Sequence, residues 1–245
     1  MISGENVRSV TLDLLMECER EPLHLALGRT LSKHQYMDKK ERAFISRLAK
    51  GTTERRLTLD QMIDGLSSVK VNKMKPVIRN ILRMTAYQIF FMPSVPDPAA
   101  CNEAVALAKK RGFRALSGFV NGVSRNLSRN KEAFEKRLRE DGRDIPSLSF
   151  KYAMPEWLCR RFVRDYGFSK TVESFQWFLD EHPITARLCR REGHQPDVAA
   201  FLVDMIADGV IVEKKPASSE RVQDQRLRSS GRFKAFSGGP VLHTG

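Results

Sequence analysis

Residues 76–92 read PVIRNILRMTAYQIFFM, and this stretch gives the clearest indication of the fold class. Its apolar side chains recur three and four positions apart, which predicts an amphipathic helix. The positions on that face are Ile78, Ile81, Leu82, Thr85, Ile89 and Met92. Tyr87, Phe90 and Phe91 widen the face, so the helix is predicted to be central and largely buried. Pro76 suits a first helical turn, and three prolines between 93 and 98 end the helix.

The same helical period continues on both sides of this stretch, from residue 7 to residue 129. Leucines at 23, 27 and 31 and the apolar group at 44–49 mark two helices before it. Asp38 is a predicted N-cap, and Glu41 three residues later completes a capping box. Further helices are predicted at Thr53–Leu66, Ala99–Arg111 and Ala115–Arg129. No segment of strand length alternates in polarity, so this part is predicted to be an all-α bundle of about seven helices.

Beyond the bundle the composition changes, which predicts further units. We assign residues 1–135 to the helical domain and residues 136–150, which are charged and then turn-forming, to a linker. Residues 151–215 are predicted to form a small α+β unit. Its predicted elements are helices at Pro155–Tyr166, Lys170–Leu179 and Asp197–Ala207, with short strands at Ile184–Leu188 and Val210–Val212. Residues 216–245 are polar and glycine-rich, and we expect a poorly ordered tail.

The charge is concentrated in the first half of the chain. The net charge is +13 over 245 residues, and residues 1–130 hold 22 Lys+Arg against 12 Asp+Glu. A basic excess in one domain favours a polyanion partner, because each neutralised phosphate releases counterions. A generic solvated basic surface is the alternative interpretation.

Other compositional features exclude several classes of protein. No apolar run approaches the roughly 18 residues of a membrane span, and the first eight residues do not resemble a secretory signal, so we expect a cytoplasmic protein without a membrane partner. The four cysteines lack the spacing of zinc ligands, and the histidines lack metal-site spacing. Free, mostly buried thiols and no metal are therefore expected.

Two groups of short motifs are specific. The first comprises Asp38, ERAFI at 41–45, GTTERR at 51–56 and LD at 59–60. The second comprises LRMTAYQI at 82–89, VP at 95–96, NEAV at 102–105, AKK at 108–110, FVNGV at 119–123 and Arg125. In this order and spacing they resemble the NusB-like N-terminal domain of the RsmB (Sun) family of 16S ribosomal RNA cytosine-C5 methyltransferases. The resemblance covers about residues 4–130.

A weaker resemblance extends to the segment that joins this domain to the catalytic domain in the same family. It rests on PEWL at 155–158, YG at 166–167 and PITAR at 183–187. Family members commonly have Asn two residues after that arginine, where this chain has Cys189. The stretch from Ser230 to Phe236 faintly resembles the family's next element.

The resemblance implies S-adenosylmethionine as the cofactor of full-length relatives and a cysteine after proline as their nucleophile. No cysteine in this chain follows a proline, and Gly238-Gly239 follows no predicted strand. We therefore expect no catalytic residue and no cofactor site in this chain, which resembles a family member truncated before its catalytic domain. A frameshifted gene is compatible with the unusual tail.

Candidate RNA-binding residues follow from the basic clusters. Backbone N–H groups, hydroxyls and guanidiniums at a helix start suit a phosphate, and we expect a phosphate site of this kind around Gly51-Thr52-Thr53. The candidates are Lys39, Lys40, Arg42, Lys50, Arg55, Arg56, Lys109, Lys110, Arg111, Arg114, Arg125 and Arg129. Solvated faces and favourable helix-end charges are the structural alternatives. Asn102-Glu103 and Asn121-Gly122 are interpreted as mainly structural, with Gly122 allowing close helix contact.

Three functions remain open. The favoured hypothesis is a ribosomal RNA-binding module that grips small-subunit RNA through phosphates and shape, with a ribosomal protein as a further potential partner. The second is a methyltransferase whose catalytic domain lies outside this chain. The third is a transcription antitermination factor of the NusB kind, against which the resemblance at 150–187 argues.

Overall fold

The computed structural model describes residues 6–140 and 142–180, and this part of the chain contains α-helices and short 3-10 turns but no strand. The helices are α1 (Val7–Glu17), α2 (Leu23–Lys33), α3 (Lys39–Glu54), α4 (Arg56–Leu66), α5 (Pro76–Phe91), α6 (Asp97–Lys110), α7 (Ser117–Arg129), α8 (Lys131–Arg139), α9 (Ile145–Tyr152), α10 (Glu156–Tyr166) and α11 (Phe168–Leu179). Seven of them precede residue 130, as predicted. None of the described helices is long and apolar enough to cross a membrane.

Helix α5 lies at the centre of the bundle, which confirms the prediction from its apolar stripe. It contacts α1, α3, α4, α6 and α7. The stripe from Ile78 to Met92 is buried throughout, and Leu82 and Ala86 are fully inaccessible. Because each buried Leu or Ile contributes about 1.5–3 kcal/mol, this face is a main source of the bundle's stability. A second apolar cluster joins α1, α2 and α3.

Local signals in the sequence set the helix ends. Asp38 accepts a hydrogen bond from the Glu41 backbone N–H at 2.7 Å, and the Glu41 carboxylate accepts one from the Asp38 N–H at 3.1 Å. This is the predicted capping box, and Pro76 occupies the first turn of α5 as predicted. The predicted start of the fourth helix at Thr53 is wrong, because α3 continues to Glu54 and α4 begins at Arg56.

Residues 136–150, expected to be a linker, are largely helical in the structure. Helix α9 packs against α4, and Phe150 is completely buried within the main apolar core. The Thr58 hydroxyl donates to the Phe150 carbonyl at 2.6 Å, and the Gln61 amide donates to the Ser149 hydroxyl at 3.4 Å. The charged residues of this segment masked the contact, because only three apolar or aromatic residues of α9, at positions 148, 150 and 152, are buried. The division of the chain into domains remains a prediction.

The glycine at a close helix contact is Gly51 and not Gly122. A Cβ on Gly122 would meet nothing within 4 Å, so the expectation of close helix contact there is wrong. A Cβ on Gly51 would lie 1.9 Å from the Tyr87 ring. Any other residue at this position would therefore require the Tyr87 side chain to move. The close approach is therefore between α3 and α5.

The predicted strands, the helix at Asp197–Ala207 and the tail from residue 216 lie outside the described residues. So does Cys189. The other three cysteines are free thiols, of which Cys101 and Cys159 are buried and Cys18 is half-buried.

Candidate nucleic-acid interface

The end of α6 carries an exposed cationic cluster. Lys109 and Lys110 are the last two residues of α6, and Arg114 lies in the 3-10 turn that follows. All three side chains are exposed. Between them Gly112 takes a φ of 83°, a left-handed conformation that ends the helix and reverses the chain. Cations here also complement the negative end of the helix dipole.

Arg111, between these residues in sequence, is committed to the fold. Its Nη2 donates to the Asp13 carboxylate at 2.7 Å and to the Ser9 hydroxyl at 3.0 Å. The same nitrogen donates to the Ser9 carbonyl at 3.2 Å. Arg111 therefore ties the end of α6 to α1, and its charge is neutralised by Asp13.

Arg125 and Arg129 lie towards the other end of the α6–α7 hairpin. Ser128 donates to the carboxylate of Asp97, the first residue of α6, at 3.2 Å. The 13 residues of α7 rise about 18 Å along its axis, so its two ends are well separated. Both arginines are exposed, and Arg125 donates to the Asn121 side chain at 3.0 Å. They do not extend the Lys109–Arg114 cluster by direct contact.

The candidates on α3 also divide between its two ends. Lys39 and Lys40 are exposed in the first turn, beside the capping box. Arg42 is half-buried, and its Nε has no hydrogen-bond partner within the part of the chain that the structure describes. Lys50 is exposed in the last turns, roughly 15 Å further along the axis at 1.5 Å per residue.

Arg55, between α3 and α4, holds the fold together. Its Nη1 donates to the Lys151 carbonyl at 2.9 Å, and its guanidinium lies 5.2 Å from the centre of the Phe91 ring. Burial lowers the pKa of this guanidinium below its ordinary value. Arg55 thus satisfies a free carbonyl at the end of α9. Its neighbour Arg56 is exposed and makes no ion pair or hydrogen bond with the described residues.

The phosphate site expected from free N–H groups at Gly51-Thr52-Thr53 is not formed as envisaged. These residues lie inside α3, where backbone N–H groups bond to carbonyls one turn earlier. The hydroxyls of Thr52 and Thr53 remain, and Thr53 donates to the Ala49 carbonyl at 2.9 Å.

Sequence reasoning missed Arg79 and Arg83 on α5, which lie beside Arg56 in one surface recess. A signal was available, because two arginines four residues apart share one face of an otherwise apolar helix. The Trp157 side chain on α10 is 67% exposed. No group of three or more potential metal ligands is brought together in the described residues.

Comparison with known proteins finds two groups of relatives. The model of the NusB family matches residues 5–129. The probable ribosomal RNA small subunit methyltransferase B of Bacillus subtilis is 29% identical over 223 residues, covering 89% of this chain and 47% of that protein. The protein of the same name from Synechocystis is 30% identical over 74% of this chain and 40% of its own length. The chain thus spans about half the length of these relatives, or less.

Relatives of a second kind align over a shorter stretch of this chain. The transcription antitermination protein NusB of Pelotomaculum thermopropionicum is 34% identical over 102 residues, which is 41% of this chain and 71% of that protein. Among solved structures, PH0851 aligns over 88% of this chain with a TM-score of 0.63 and 17% identity, which shows a shared fold. A NusB of T. maritima aligns over 53% of this chain at 28% identity, with a TM-score of 0.47.

Proposed function

The chain belongs to the NusB family, and from this premise we propose that it is the ribosomal RNA-binding module of an RNA cytosine-C5 methyltransferase-like protein. The observation that carries the proposal is the extent of the similarity. It continues beyond the NusB-family region in the relatives named as small-subunit RNA methyltransferases and covers up to 89% of this chain. The relatives named as antitermination proteins align over 41% or less.

The proposed contacts are with RNA phosphates. Exposed lysines and arginines without an internal partner can neutralise phosphates, and the release of counterions from the RNA then increases binding affinity. Proteins recognise RNA helices mainly through their shape and phosphates, because the base edges are hard to reach. Among the candidates, Lys109, Lys110 and Arg114 meet this requirement best, because all are exposed and adjacent. Arg55 and Arg111 do not meet it, because their guanidiniums are engaged in the fold.

The test is the binding of labelled 16S ribosomal RNA fragments by the full chain at rising salt. We expect the logarithm of the binding constant to fall linearly with the logarithm of salt concentration. The double substitution Lys109→Gln/Lys110→Gln should weaken binding similarly for all fragments that bind and reduce the salt slope by about 2, since each phosphate contact contributes about 1.

The matched control is Lys70→Gln/Lys73→Gln, which removes two exposed charges from the segment before α5. This pair lies outside the proposed interface and should leave the salt slope unchanged. Equal effects of the two double variants would refute a defined interface at the end of α6. No binding at low salt would refute the proposed function.

An antitermination role is the second candidate, and the similarity of residues in the bundle to the shorter NusB proteins favours it. That role requires a protein partner besides RNA, for which a small-subunit ribosomal protein is our proposal. Recovery of such a protein from a pull-down without 16S RNA would favour this candidate. Recovery of 16S RNA from ribosomal precursors would favour the first.

A further inference from the structure

A recess of about 380 Å³ opens between the end of α1, the α3–α4 junction and the first half of α5. Three arginines line it, and they come from two different helices. Arg56 is the first residue of α4, and Arg79 and Arg83 lie one turn apart on α5. This volume is within the range of about 300–1,000 Å³ that is typical of small-molecule sites.

Two buried donors in this recess have no acceptor in the described part of the chain. They are the Thr52 hydroxyl and Arg79 Nε. Thr52 is only 2% exposed and lines the recess. Buried polar atoms in folded proteins are nearly always hydrogen-bonded, so each of these two donors requires an acceptor from outside the described residues, and an anion in the recess is one that suits both.

Hydrogen bonds to neighbouring side chains hold the two arginines of α5 in place. Arg83 donates to both carboxylate oxygens of Asp60, at 2.6 and 2.7 Å, and to the Asn80 side chain at 3.3 Å. Arg79 donates through Nη2 to Glu19 at 2.6 Å, which leaves Nε unused. Fixed guanidiniums lose little freedom when a ligand binds, so the site is preorganised.

The charge at the recess selects an anion. Three guanidiniums face one carboxylate, that of Glu19, and Asp60 lies behind Arg83. Partial burial opposes ionisation of Glu19, but the hydrogen bond and charge of Arg79, with Asn80, hold its pKa below the ordinary value. Glu19 is therefore ionised at neutral pH, and a positive excess remains after both carboxylates are counted. The positive charge without a paired carboxylate is that of Arg56, which is exposed.

We propose that this recess binds a phosphate group, with Arg56 as the principal charge and the Thr52 hydroxyl and Arg79 Nε as donors. Phosphate oxygens accept from guanidiniums and hydroxyls together. We assign the phosphate to an RNA backbone, an assignment that rests on the proposed function. The phosphate site itself rests on the recess alone.

The first experiment is a titration of the isotope-labelled full chain with inorganic phosphate, at constant ionic strength against chloride, followed by NMR. Amide resonances of Thr52, Thr53 and Arg56 should shift and saturate. Arg56→Gln should raise the phosphate dissociation constant about tenfold or more. Lys33→Gln removes the same charge outside the recess and should leave the dissociation constant unchanged. No saturable shift up to about 20 mM phosphate, far above a millimolar dissociation constant, would overturn the site.

Thr52→Val separates binding from folding. Replacing an unpaired buried hydroxyl by a methyl group of similar shape removes no internal hydrogen bond, so the unfolding midpoint should stay the same or rise. Phosphate binding should nevertheless weaken. A lower midpoint with unchanged phosphate affinity would mean that the hydroxyl serves the fold, and it would overturn the proposed role of Thr52.

The source of the phosphate is decided with 16S RNA fragments. If Arg56→Gln weakens RNA binding and inorganic phosphate competes with RNA, the ligand is the RNA backbone. If Arg56→Gln abolishes phosphate binding and leaves RNA affinity unchanged, the recess takes a free phosphate or nucleotide. The Lys109→Gln/Lys110→Gln variant still reports RNA binding in either case, so failure of the recess and failure of the proposed function give different results.

Discussion

Substitution of Arg55 by methionine should destabilise the bundle without removing an RNA contact. Methionine keeps an apolar stem but loses the 2.9 Å bond to the Lys151 carbonyl and the cation–π contact with Phe91. A hydrogen bond to a charged group is worth about 1.5–3 kcal/mol, and a partly desolvated cation–π contact adds about 0.5–2 kcal/mol. We therefore expect the free energy of unfolding to fall by about 2–5 kcal/mol.

The assay is equilibrium unfolding in urea, with Arg56→Met as the matched neighbour. Arg56 is exposed and makes no internal bond, so its substitution should change stability by less than about 0.5 kcal/mol. The midpoint for Arg55→Met should fall at an unchanged slope, because the same surface is exposed on unfolding.

A double-mutant cycle with Thr58→Val adds a second check, since Thr58 bonds to the adjacent Phe150 carbonyl at the same end of α9. The two losses should not be additive, because either one loosens the same helix end. The reasoning is refuted if Arg55→Met leaves the unfolding midpoint unchanged and weakens RNA binding, since Arg55 would then be an RNA contact.

Three further predictions concern buried residues. Gly51→Ala should lower the free energy of unfolding by about 1–3 kcal/mol because its methyl group meets the Tyr87 ring; a neutral urea midpoint would contradict this. Phe150→Ala should cost about 3–5 kcal/mol in the same assay, and a loss below about 1 kcal/mol would mean that α9 is dispensable to the core. Burial raises the pKa of the Cys159 thiol to about 11, so the native thiol keeps its proton while the unfolded one ionises from about pH 9. Stability should therefore fall between pH 9 and 11, and more steeply than in Cys159→Ala; identical pH profiles would refute this.

Sequence alone predicted the elements whose causes are local. The capping box at Asp38, the proline start of α5 and the apolar stripe from Ile78 to Met92 each depend on residues within a few turns of one another. Their spacing fixes which face is buried, and the structure confirms these features. The motif resemblance placed the bundle in its family for the same reason, since those letters belong to short continuous segments.

The role of each arginine became visible in the three-dimensional structure and not in the sequence. Arg55 and Arg56 are adjacent, equally basic and indistinguishable by pattern, yet one supports a carbonyl 96 residues away and the other is free in the recess. Arg111 is likewise committed to α1, whereas Lys109 and Lys110 are not. The physical reason is that a guanidinium's role depends on which acceptors approach it in space. Those acceptors are backbone carbonyls and carboxylates distant in sequence, whose positions no local periodicity encodes.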